Sequence, residues 1–472
     1  MHGAGHAYAV LTATEEEIIH ANVLRIVERV GLQVENDAFL ERFAAIGGRV
    51  DRARKRVTFA PEAAEAFIAS CRAPQERELT PRFSAGAGVY YGHYLDPLTG
   101  EFLPMTVDRL RQYFQVARAL PHVTSMSLLG CPLQGIPSAL EPLYERFWAW
   151  SLGAHADGSI HQVRLCPYIV EMCQVHAAVT GRKLAEVLTG TVYLVPPLKL
   201  GYQEAAQVQW FLDRGLRIRI GGSMATGGAT APVTLAGMVT ITIAEQLLLG
   251  LLDWALYDEH GWGIGMSVTA MDPRTMMRPY GRPDMALASL VAAQMGRRYG
   301  VPVGGHGGLT DAMVPSFEAA AQKIQSALPT LMATGHAGIA AGLLAVDEVF
   351  SPVQMVLDDE LTSSLSQFTR EYEVSDASIA ADVIEAVGPG GSFASEVHTA
   401  EWFRREMWEP TVFTRRNFAA WHEGDGKADV DRAREKVLDI LAGPLPPSVI
   451  PETEDQDLRA IIARANNIVG GS

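Results

Sequence analysis

Short runs of β-forming residues alternate with helical stretches from residue 105 onward, and this alternation constrains the fold more than any other feature. Seven runs end in glycine, proline or polar residues: 123–130, 159–165, 190–197, 216–223, 262–269, 301–308 and 333–341. They recur every roughly 25 to 40 residues, which is the spacing of a strand followed by a helix. Such a repeat predicts a parallel sheet, either closed into an eight-unit barrel or open and doubly wound.

The sequence lacks both glycine-rich signatures of nucleotide-binding open sheets, GxGxxG and GxxxxGK[ST]. We therefore predict an α/β fold of the TIM (β/α)8 barrel class, with N-terminal helical and hairpin additions and C-terminal helices. Three parts are expected: an N-terminal helical segment and β-hairpin at 1–104, the TIM barrel at 105–375, and a C-terminal helical extension at 376–472. Because only seven strands are visible, the sequence does not locate the eighth.

The segments that flank the alternating region carry helix and turn signals. Thr14 is followed by three glutamates, which predicts a helix start at this point. Residues 86–104 alternate aromatic and small residues around an Asp-Pro and a Thr-Gly turn, which predicts a hairpin. In the C-terminal part, an apolar stripe predicts a helix that stops at Gly388, and a second helix is expected at 428–441. The stripe consists of Ile379, Ala380, Val383, Ile384 and Val387.

Charge and composition exclude several classes of function. The 39 basic residues against 54 acidic ones give a net charge of −15, which argues against nucleic acid or an anionic membrane surface as a partner. The most apolar stretch, 239–257, contains Glu245, Gln246 and Asp253, so it predicts a buried helix rather than a membrane span. The four cysteines form no CxxC pair and the N-terminus shows no signal peptide, which favours a cytoplasmic protein.

A glycine-rich turn within 220–237 supplies the first candidate binding residues. Gly228 precedes Thr230, and either Thr230 or Ala231 is expected to cap a helix. The free amides of such a helix start would hold an anion such as a substrate carboxylate. A purely structural cap is the alternative, because similar caps open most helices.

Polar residues follow two further predicted strands. His306 lies between glycine pairs and Asp311 follows five residues later, so a substrate contact, a metal pair and an acid–base pair remain open. We expect no bound metal, since two groups do not define a metal site. Asp272 and Arg274 follow the run that contains Met266, a further candidate lining residue. Arg274 would pair with a substrate carboxylate, whereas Asp-Pro is equally common as a simple turn.

Five segments resemble the trimethylamine methyltransferase superfamily of corrinoid-dependent enzymes. They are GPGGSFASEVHTAEWFRREMWEPTVFTRRNFAAW at 388–421, SMATGGATAPVTLAG at 223–237, the stretch 270–303, GLTDAMVPSFEAAAQK at 308–323 and MVLDDEL at 355–361. The resemblance implies a TIM barrel that removes a methyl group from a methylamine-type substrate. It also implies that the methyl group passes to cob(I)alamin on a separate, cognate corrinoid protein.

Two departures from that family bear on the substrate. The sequence contains only standard residues, so it is similar to the branch that lacks pyrrolysine, typified by glycine betaine methyltransferases. Many members of that branch carry a His-Asp pair where this chain has residues 338–342, with His336 shortly before. A quaternary ammonium already carries its positive charge and leaves as a neutral amine, so such a substrate requires no acid catalyst.

Aromatic side chains suit an N-methylated cation, and the predicted hairpin carries several of them. Tyr90, Tyr91, His93 and Tyr94 are candidates to cover the substrate, although aromatic residues in hairpins also pack against each other. The segment 258–263 fits DxHxxG, a cobalamin-binding signature, but it follows a long predicted helix and precedes a strand. That order is the reverse of a cobalamin module, and we interpret the match as a coincidence.

The sequence therefore predicts a methyltransferase that moves a methyl group from a glycine betaine-like quaternary amine to cobalamin carried by a partner protein. No catalytic residue is assigned, and a homo-oligomer is expected. Two alternatives remain open. One is a betaine-binding barrel without catalysis, suggested by the missing His-Asp pair. The other is a metal-dependent barrel hydrolase that uses His306, Asp311 and His336.

Overall fold

The computed structural model describes residues 9–72, 82–305 and 307–469. The first range forms α1 (Ala13–Arg29), β1 (Leu32–Val34), α2 (Asp37–Ala45), β2 (Arg49–Asp51), β3 (Arg56–Thr58) and α3 (Pro61–Ser70). Helix α1 starts slightly earlier than predicted, because Thr12 rather than Thr14 is its N-cap and forms a capping box with Glu15. This N-terminal part is mostly helical, as the sequence predicted.

In the middle of the chain a strand is followed by a helix eight times. The first half consists of β4 (Arg82–Val89), β5 (His93–Leu95), β6 (Phe102–Pro104), α4 (Val107–Ala119), β7 (Val123–Leu128), α5 (Glu141–Ser151), β8 (His155–Ala156), α6 (Cys166–Thr180), α7 (Leu184–Val187), β9 (Thr191–Tyr193), β10 (Lys199–Leu200) and α8 (Tyr202–Leu212). The second half consists of β11 (Arg219–Gly221), β12 (Thr226–Gly227), α9 (Leu235–Tyr257), β13 (Ile264–Met266), β14 (Thr269–Ala270), α10 (Pro283–Tyr299), β15 (Val303–Gly305), α11 (Phe317–Thr334), β16 (His336–Ala340), β17 (Leu343–Leu344), β18 (Val349–Phe350) and α12 (Pro352–Phe368).

The strands that lead into these helices run parallel to one another. β4 pairs with β7 on one side and with β16, the last of the eight, on the other; β7 also pairs with β8. β9 pairs with β11, and β13 pairs with β15. Single hydrogen bonds join two further pairs of neighbouring strand units. One runs from Thr191 N in β9 to Gly158 O just after β8 at 3.0 Å, and the other from Ala340 N in β16 to Gly308 O just after β15 at 3.1 Å. The predicted α/β class with parallel sheets is confirmed, while the ladders of the described residues form separate sheets rather than one closed sheet.

The strand that the sequence did not reveal is β4, and its two faces differ. Phe83, Ala85, Ala87 and Val89 are buried against helices, whereas the alternate residues are serine and glycine and lie on the other face. Small residues have low strand propensity, so the segment does not look like a strand in the sequence. The hairpin predicted at 86–104 is therefore limited to β5 and β6, which pair antiparallel.

Three local predictions are wrong. Residues 159–165 hold a 3-10 turn at Val163–Leu165 instead of a strand, and the strand lies earlier, at β8. Thr234, not Thr230 or Ala231, caps α9, because residues 226–231 first close a turn. The stripe at 379–387 does not form one helix, since Ala380 adopts a left-handed conformation with φ of 50°.

Helix α9 has 23 residues and is the one helix in the described ranges that is long and apolar enough to span a membrane. Of its most apolar window, 72% is buried inside the protein, as expected for a core helix. The C-terminal part comprises α13 (Asp376–Ile379), α14 (Ala381–Val387), α15 (Val397–Glu406), α16 (Phe418–His422), α17 (Asp429–Leu441) and α18 (Glu452–Val469). No residue of α13 to α16 is buried, whereas α17 packs on α12 and α4, and α18 packs on α6.

Candidate functional site

A cavity of about 530 Å³ lies between β4, β7, β15 and β16. Its wall includes the small residues on the inner faces of these strands: Ser84, Gly86, Gly88, Ser125, Ser127, Gly304 and Gly338. Interior space stays open here because glycine and serine do not fill it. Towards the carboxyl ends of the strands the wall continues with Leu129, Leu309, Leu343 and Asp347.

Asp347 is placed in this wall by an unusual turn. Ala345, Val346 and Asp347 have φ values of 52°, 53° and 73°, three consecutive non-glycine residues in the left-handed region. Such conformations each cost on the order of 1 kcal/mol and persist only where the surroundings hold them in place. The turn joins β17 to β18, and β18 in turn pairs with β5, so the strained residues are fixed between paired strands.

The Asp347 carboxylate is removed from bulk water and has an incomplete set of partners. Burial raises its pKa, although a hydrogen bond from Tyr280 and the charge of Arg278 oppose that rise. Its Oδ1 atom is buried without a hydrogen-bond partner. Arg278 lies with its guanidinium 5.3 Å from the Tyr280 ring centre and donates through Nη2 to Ser267 Oγ at 3.0 Å. This arrangement orients Tyr280 and, through it, Asp347.

Tyr90 links Asp347 to a second group of side chains. Burial raises the pKa of Tyr90, and the nearby charges of Asp347 and Asp157 raise it further. The phenol is therefore under the influence of two carboxylates that come from different strand ends. Tyr90 is 43% exposed, so its ring is open to a ligand.

The second group consists of Asp157, Tyr193 and Arg219, from three successive strand units. Asp157 is open to the interior, yet its removal from bulk water raises its pKa, against the opposing charge of Arg219. Burial and the Asp157 charge raise the pKa of Tyr193, and Arg219 again opposes the rise. The site thus combines two acidic groups and two aromatic rings at the carboxyl ends of parallel strands with one basic group at the start of β11.

The predicted aromatic residues take separate places. Tyr91 packs edge-on against Tyr90, with ring centres 4.9 Å apart, and its hydroxyl donates to Glu141 Oε2 at 2.5 Å. His93 begins β5 and is held by its backbone amide, which donates to Glu348 O at 2.8 Å. His336 starts β16, lines the cavity and lies 3.0 Å from Ser84 Oγ through Nε2. Burial and the charge of Arg82 lower the pKa of His336.

The residues of the predicted anion-binding turn mainly shape the backbone. Gly228 has φ of 86° and its amide donates to Ala231 O at 3.0 Å. Thr230 accepts the Thr226 amide through Oγ1 at 3.0 Å. Met266 ends β13 and is buried in the core, because its neighbour Gly265 is the residue that faces the interior.

The other predicted polar residues also stabilise turns. Asp272 accepts the amides of Arg274 and Thr275 at 2.8 and 3.4 Å, so the Asp-Pro segment is a turn that Asp272 closes. The Asp311 carboxylate accepts the amides of Tyr280 at 2.5 Å and Gly281 at 2.9 Å, which fixes the segment next to Arg278. His306 lies outside the described residues. Among the residues that are described, no three His, Cys, Asp or Glu side chains are arranged to hold a metal ion.

Sequence reasoning missed Asp157, Tyr193, Arg219, Arg278 and Asp347. Tyr193 and Arg219 lie inside predicted strand runs, and the alternation of buried and open residues would have placed both on the inner face. Asp157 was missed because the third strand was placed too late in the chain. Asp347 carries no sequence signal, since its position depends on the pairing of β17, β18 and β5.

The sequence family model described as trimethylamine methyltransferase matches residues 154–470 of this chain. The chain belongs to the trimethylamine methyltransferase family. It is 28% identical to glycine betaine methyltransferase of Desulfitobacterium hafniense over 98% of both chains. It is 26% identical to a trimethylamine methyltransferase of the same species, over 97% of this chain and 94% of that one.

The comparison with solved structures finds monomethylamine methyltransferase of Methanosarcina barkeri, which is 10% identical and has a TM-score of 0.27. That match covers 90% of this chain and 92% of the other. The score is too low to support a conclusion about the fold. Membership of the trimethylamine methyltransferase family, predicted from the five sequence segments, rests on the family model and the two full-length relatives and is confirmed.

Proposed function

We propose that this chain transfers a methyl group from a quaternary amine of the glycine betaine type to the cob(I)alamin of a separate corrinoid protein. The observation that carries the proposal is that the charges of Asp347 and Asp157 both act on the exposed phenol of Tyr90, next to a cavity that Asp347 lines. An aromatic face and negative charges attract a quaternary ammonium. The trimethylamine methyltransferase family supplies the reaction class, and the relative named for glycine betaine supports the substrate type.

The parallel strands are best accounted for by a TIM (β/α)8 barrel. The chain alternates strand and helix eight times, and the first of these strands, β4, pairs in parallel with the last, β16. This pairing joins the two ends of the series, which an open sheet would leave apart. The barrel would then begin at β4, with the helices before it as an N-terminal addition and the part from 376 onward as a C-terminal extension.

In the reaction the N–CH3 bond breaks, its electron pair stays on nitrogen, and a neutral tertiary amine leaves. The corrinoid supplies a nucleophilic cobalt that accepts the methyl group. The work of this chain is to hold the cation near Tyr90 and the two carboxylates, with the methyl group directed out of the cavity. Asp347 would be held for this purpose by Tyr280, which Arg278 positions in turn.

The cobalamin-like segment 258–263 is best explained by the packing of α3 against α9. His260 packs against Trp254, with ring centres 4.5 Å apart, and against Phe67 at 6.3 Å. Its Nδ1 atom lies 3.4 Å from Ser70 Oγ. The imidazole is therefore engaged with α3 and α9, away from the cavity wall, in agreement with a corrinoid carried by a partner protein.

We also propose that the protein forms a homo-oligomer. Helices α13 to α16 bury none of their own residues, and large apolar side chains on them are exposed: Ile379 at 53%, Val397 at 71%, Phe403 at 53% and Phe418 at 74%. Exposed apolar surface of this kind marks interaction sites. Light scattering coupled to size exclusion should report a mass of at least twice the 51.1 kDa of one chain. A mass of 51.1 kDa would contradict the proposal.

The function can be tested by incubating the protein with chemically reduced cobalamin and each of four amines: glycine betaine, proline betaine, carnitine and choline. Methylation of the cobalt changes its visible absorbance, and we expect this change with at least one amine. Asp347→Asn should lower the rate at least tenfold. Asp108→Asn, at an exposed carboxylate on α4, is the matched control and should leave the rate unchanged.

Absence of methylation with all four amines, by both free cobalamin and a corrinoid protein, would refute the proposed reaction. Binding of a betaine without methyl transfer would instead favour the non-catalytic alternative. The metal-dependent hydrolase predicts a stoichiometric metal, which elemental analysis of the purified protein would detect. Against that alternative, both oxygens of the Asp311 carboxylate are already occupied by backbone amides.

A further inference from the structure

Arg219 is an unpaired cation on the inner face of the strands. It begins β11, in which Ile220 is buried, so Arg219 and Gly221 lie on the opposite, inner face. Gly221 lies directly against the Tyr193 ring, and a Cβ atom there would come within 2.6 Å of Tyr193 Cδ1. The charge of Arg219 acts on both Asp157 and Tyr193. These observations place the guanidinium on the same face as Tyr193, where its charge also acts on Asp157.

Other arginines near the strands differ from Arg219, because their guanidinium groups have hydrogen-bond or ion-pair partners. Arg146 is fully buried and donates to the carbonyls of Pro142, Ser159 and Thr189 at 2.7, 2.8 and 2.6 Å. Arg217, two residues before Arg219, forms an ion pair with Glu259. The guanidinium of Arg219, by contrast, has no hydrogen bond or ion pair with any residue of the described chain, and it is exposed to the interior.

An accessible guanidinium on a largely polar inner wall is suited to binding a carboxylate. It presents a planar fork of N–H donors that matches a carboxylate in a bidentate arrangement. The charge of Arg219 acts on Asp157, but the two side chains form no direct ion pair. The fork of Arg219 is therefore free to accept an anion from outside the chain.

The site then displays charges of both signs. The carboxylates of Asp347 and Asp157 act on Tyr90, and the guanidinium of Arg219 lies on the same inner face as Tyr193 and acts on Tyr193 and Asp157. We infer that Arg219 binds the carboxylate of the substrate, so that the preferred substrates are zwitterions that carry both a quaternary ammonium and a carboxylate. This inference rests on the proposed function, and it excludes choline as a preferred substrate, because choline would leave Arg219 without a partner.

Two variants of Arg219 and one control test the inference. Arg219→Gln removes the charge, and Arg219→Lys keeps the charge without the planar fork. Arg217→Gln is the matched control, since Arg217 lies in the same segment but contacts Glu259 and the Tyr257 ring. Isothermal calorimetry and steady-state methyl transfer are measured for each protein with glycine betaine and with choline. Thermal unfolding shows whether each variant is folded.

For Arg219→Gln we expect the Kd and KM for glycine betaine to rise about ten- to a hundredfold, as for the loss of a hydrogen-bonded charge partner. Values for choline should stay within about twofold, and Arg219→Lys should recover part of the betaine affinity. Arg217→Gln should behave like the wild type with both ligands. An equal loss for betaine and choline, or no change for betaine, would overturn the role assigned to Arg219.

The same measurements separate this inference from the proposed function. If the wild type binds glycine betaine but transfers no methyl group, and Arg219→Gln loses that binding, Arg219 is the anchor while the proposed reaction fails. If methyl transfer occurs but Arg219→Gln affects both ligands alike, the reaction stands and the inference fails. If the wild type neither binds nor demethylates glycine betaine, both are refuted.

Discussion

The ion pair between Lys323 and Asp358 offers a sharp test of how the end of β16 is held. Both side chains are 0% exposed, and Nζ lies 2.6 Å from Asp358 Oδ2. Lys323 also donates to Ala340 O at 2.7 Å, and Asp358 accepts the Gly342 amide at 2.8 Å. Burial lowers the pKa of Lys323 and raises that of Asp358, because each charge has left water. The pair thus connects α11 and α12 to the strand end beside the cavity.

Replacing one partner leaves the other as an uncompensated buried charge. Lys323→Met should therefore destabilise the protein by about 3 to 5 kcal/mol, and Asp358→Leu by a similar amount. The double variant removes both charges but leaves the Ala340 carbonyl and the Gly342 amide without partners, at about 1 to 3 kcal/mol each. We expect it to cost less than the sum of the two single variants.

Lys55→Met is a matched control, because Lys55 and Asp37 are also 2.6 Å apart but are exposed by 36% and 67%. An exposed pair of this kind is worth about 1 kcal/mol or less. Urea unfolding followed by circular dichroism gives the midpoints, and their ranking decides the test. The reasoning fails if Lys323→Met shifts the midpoint no more than Lys55→Met, or if the double variant costs the full sum of the singles.

Three further predictions concern other parts of the molecule. Burial raises the pKa of Asp253 from 3.8 to about 6, so the stability it contributes is complete below pH 3.8 and is lost as the pH rises through about 6. Wild type should lose up to about 3 kcal/mol over this window relative to Asp253→Asn, and parallel pH profiles of unfolding for the two proteins would contradict this. Buried Glu360 accepts hydrogen bonds from the amides of Thr411 and Phe413 at 3.0 Å each. Glu360→Gln should therefore weaken the attachment of segment 411–413 and speed its amide hydrogen exchange at least tenfold. Unchanged exchange would show that other contacts fix the segment. A Cβ atom at Gly338 would meet nothing within 4 Å, so Gly338→Ala should fold with a stability change below about 1 kcal/mol. The larger side chain of Gly338→Leu would project into the cavity and should lower activity at least tenfold. Equal activity of the two variants would show that the cavity does not hold the substrate.

The sequence supported the strand–helix repeat because apolar runs and glycine-rich ends mark most of the parallel strands. Six of the seven runs contain a strand, including β7, β9 and β16. β4 could not be recognised, because its inner face consists of Ser84, Gly86 and Gly88 and lacks the β-branched residues that signal a strand. The site residues were harder to predict than the strands, because a cavity is defined by which faces meet.

Two residues show where local sequence reasoning ends. Asp272 precedes a proline, and the sequence fits a simple turn and a functional carboxylate equally well. In the structure the amides of Arg274 and Thr275 account for its carboxylate. Asp347 lies in the ordinary-looking segment AVDEVF, and only the pairing of β18 with β5 turns it towards the cavity. Contacts between segments that are distant in the chain therefore decided the site.

The division of β4 into a packed face and an open face has a consequence for how such an enzyme diversifies. Phe83, Ala85 and Val89 hold the helices, and the glycines and serines opposite them contribute little to cohesion. Substitutions on the open face can therefore change the shape and polarity of the chamber while the scaffold keeps its strength. A library restricted to Ser84, Ser125 and Ser127 would explore new amine substrates at small risk of unfolding the protein.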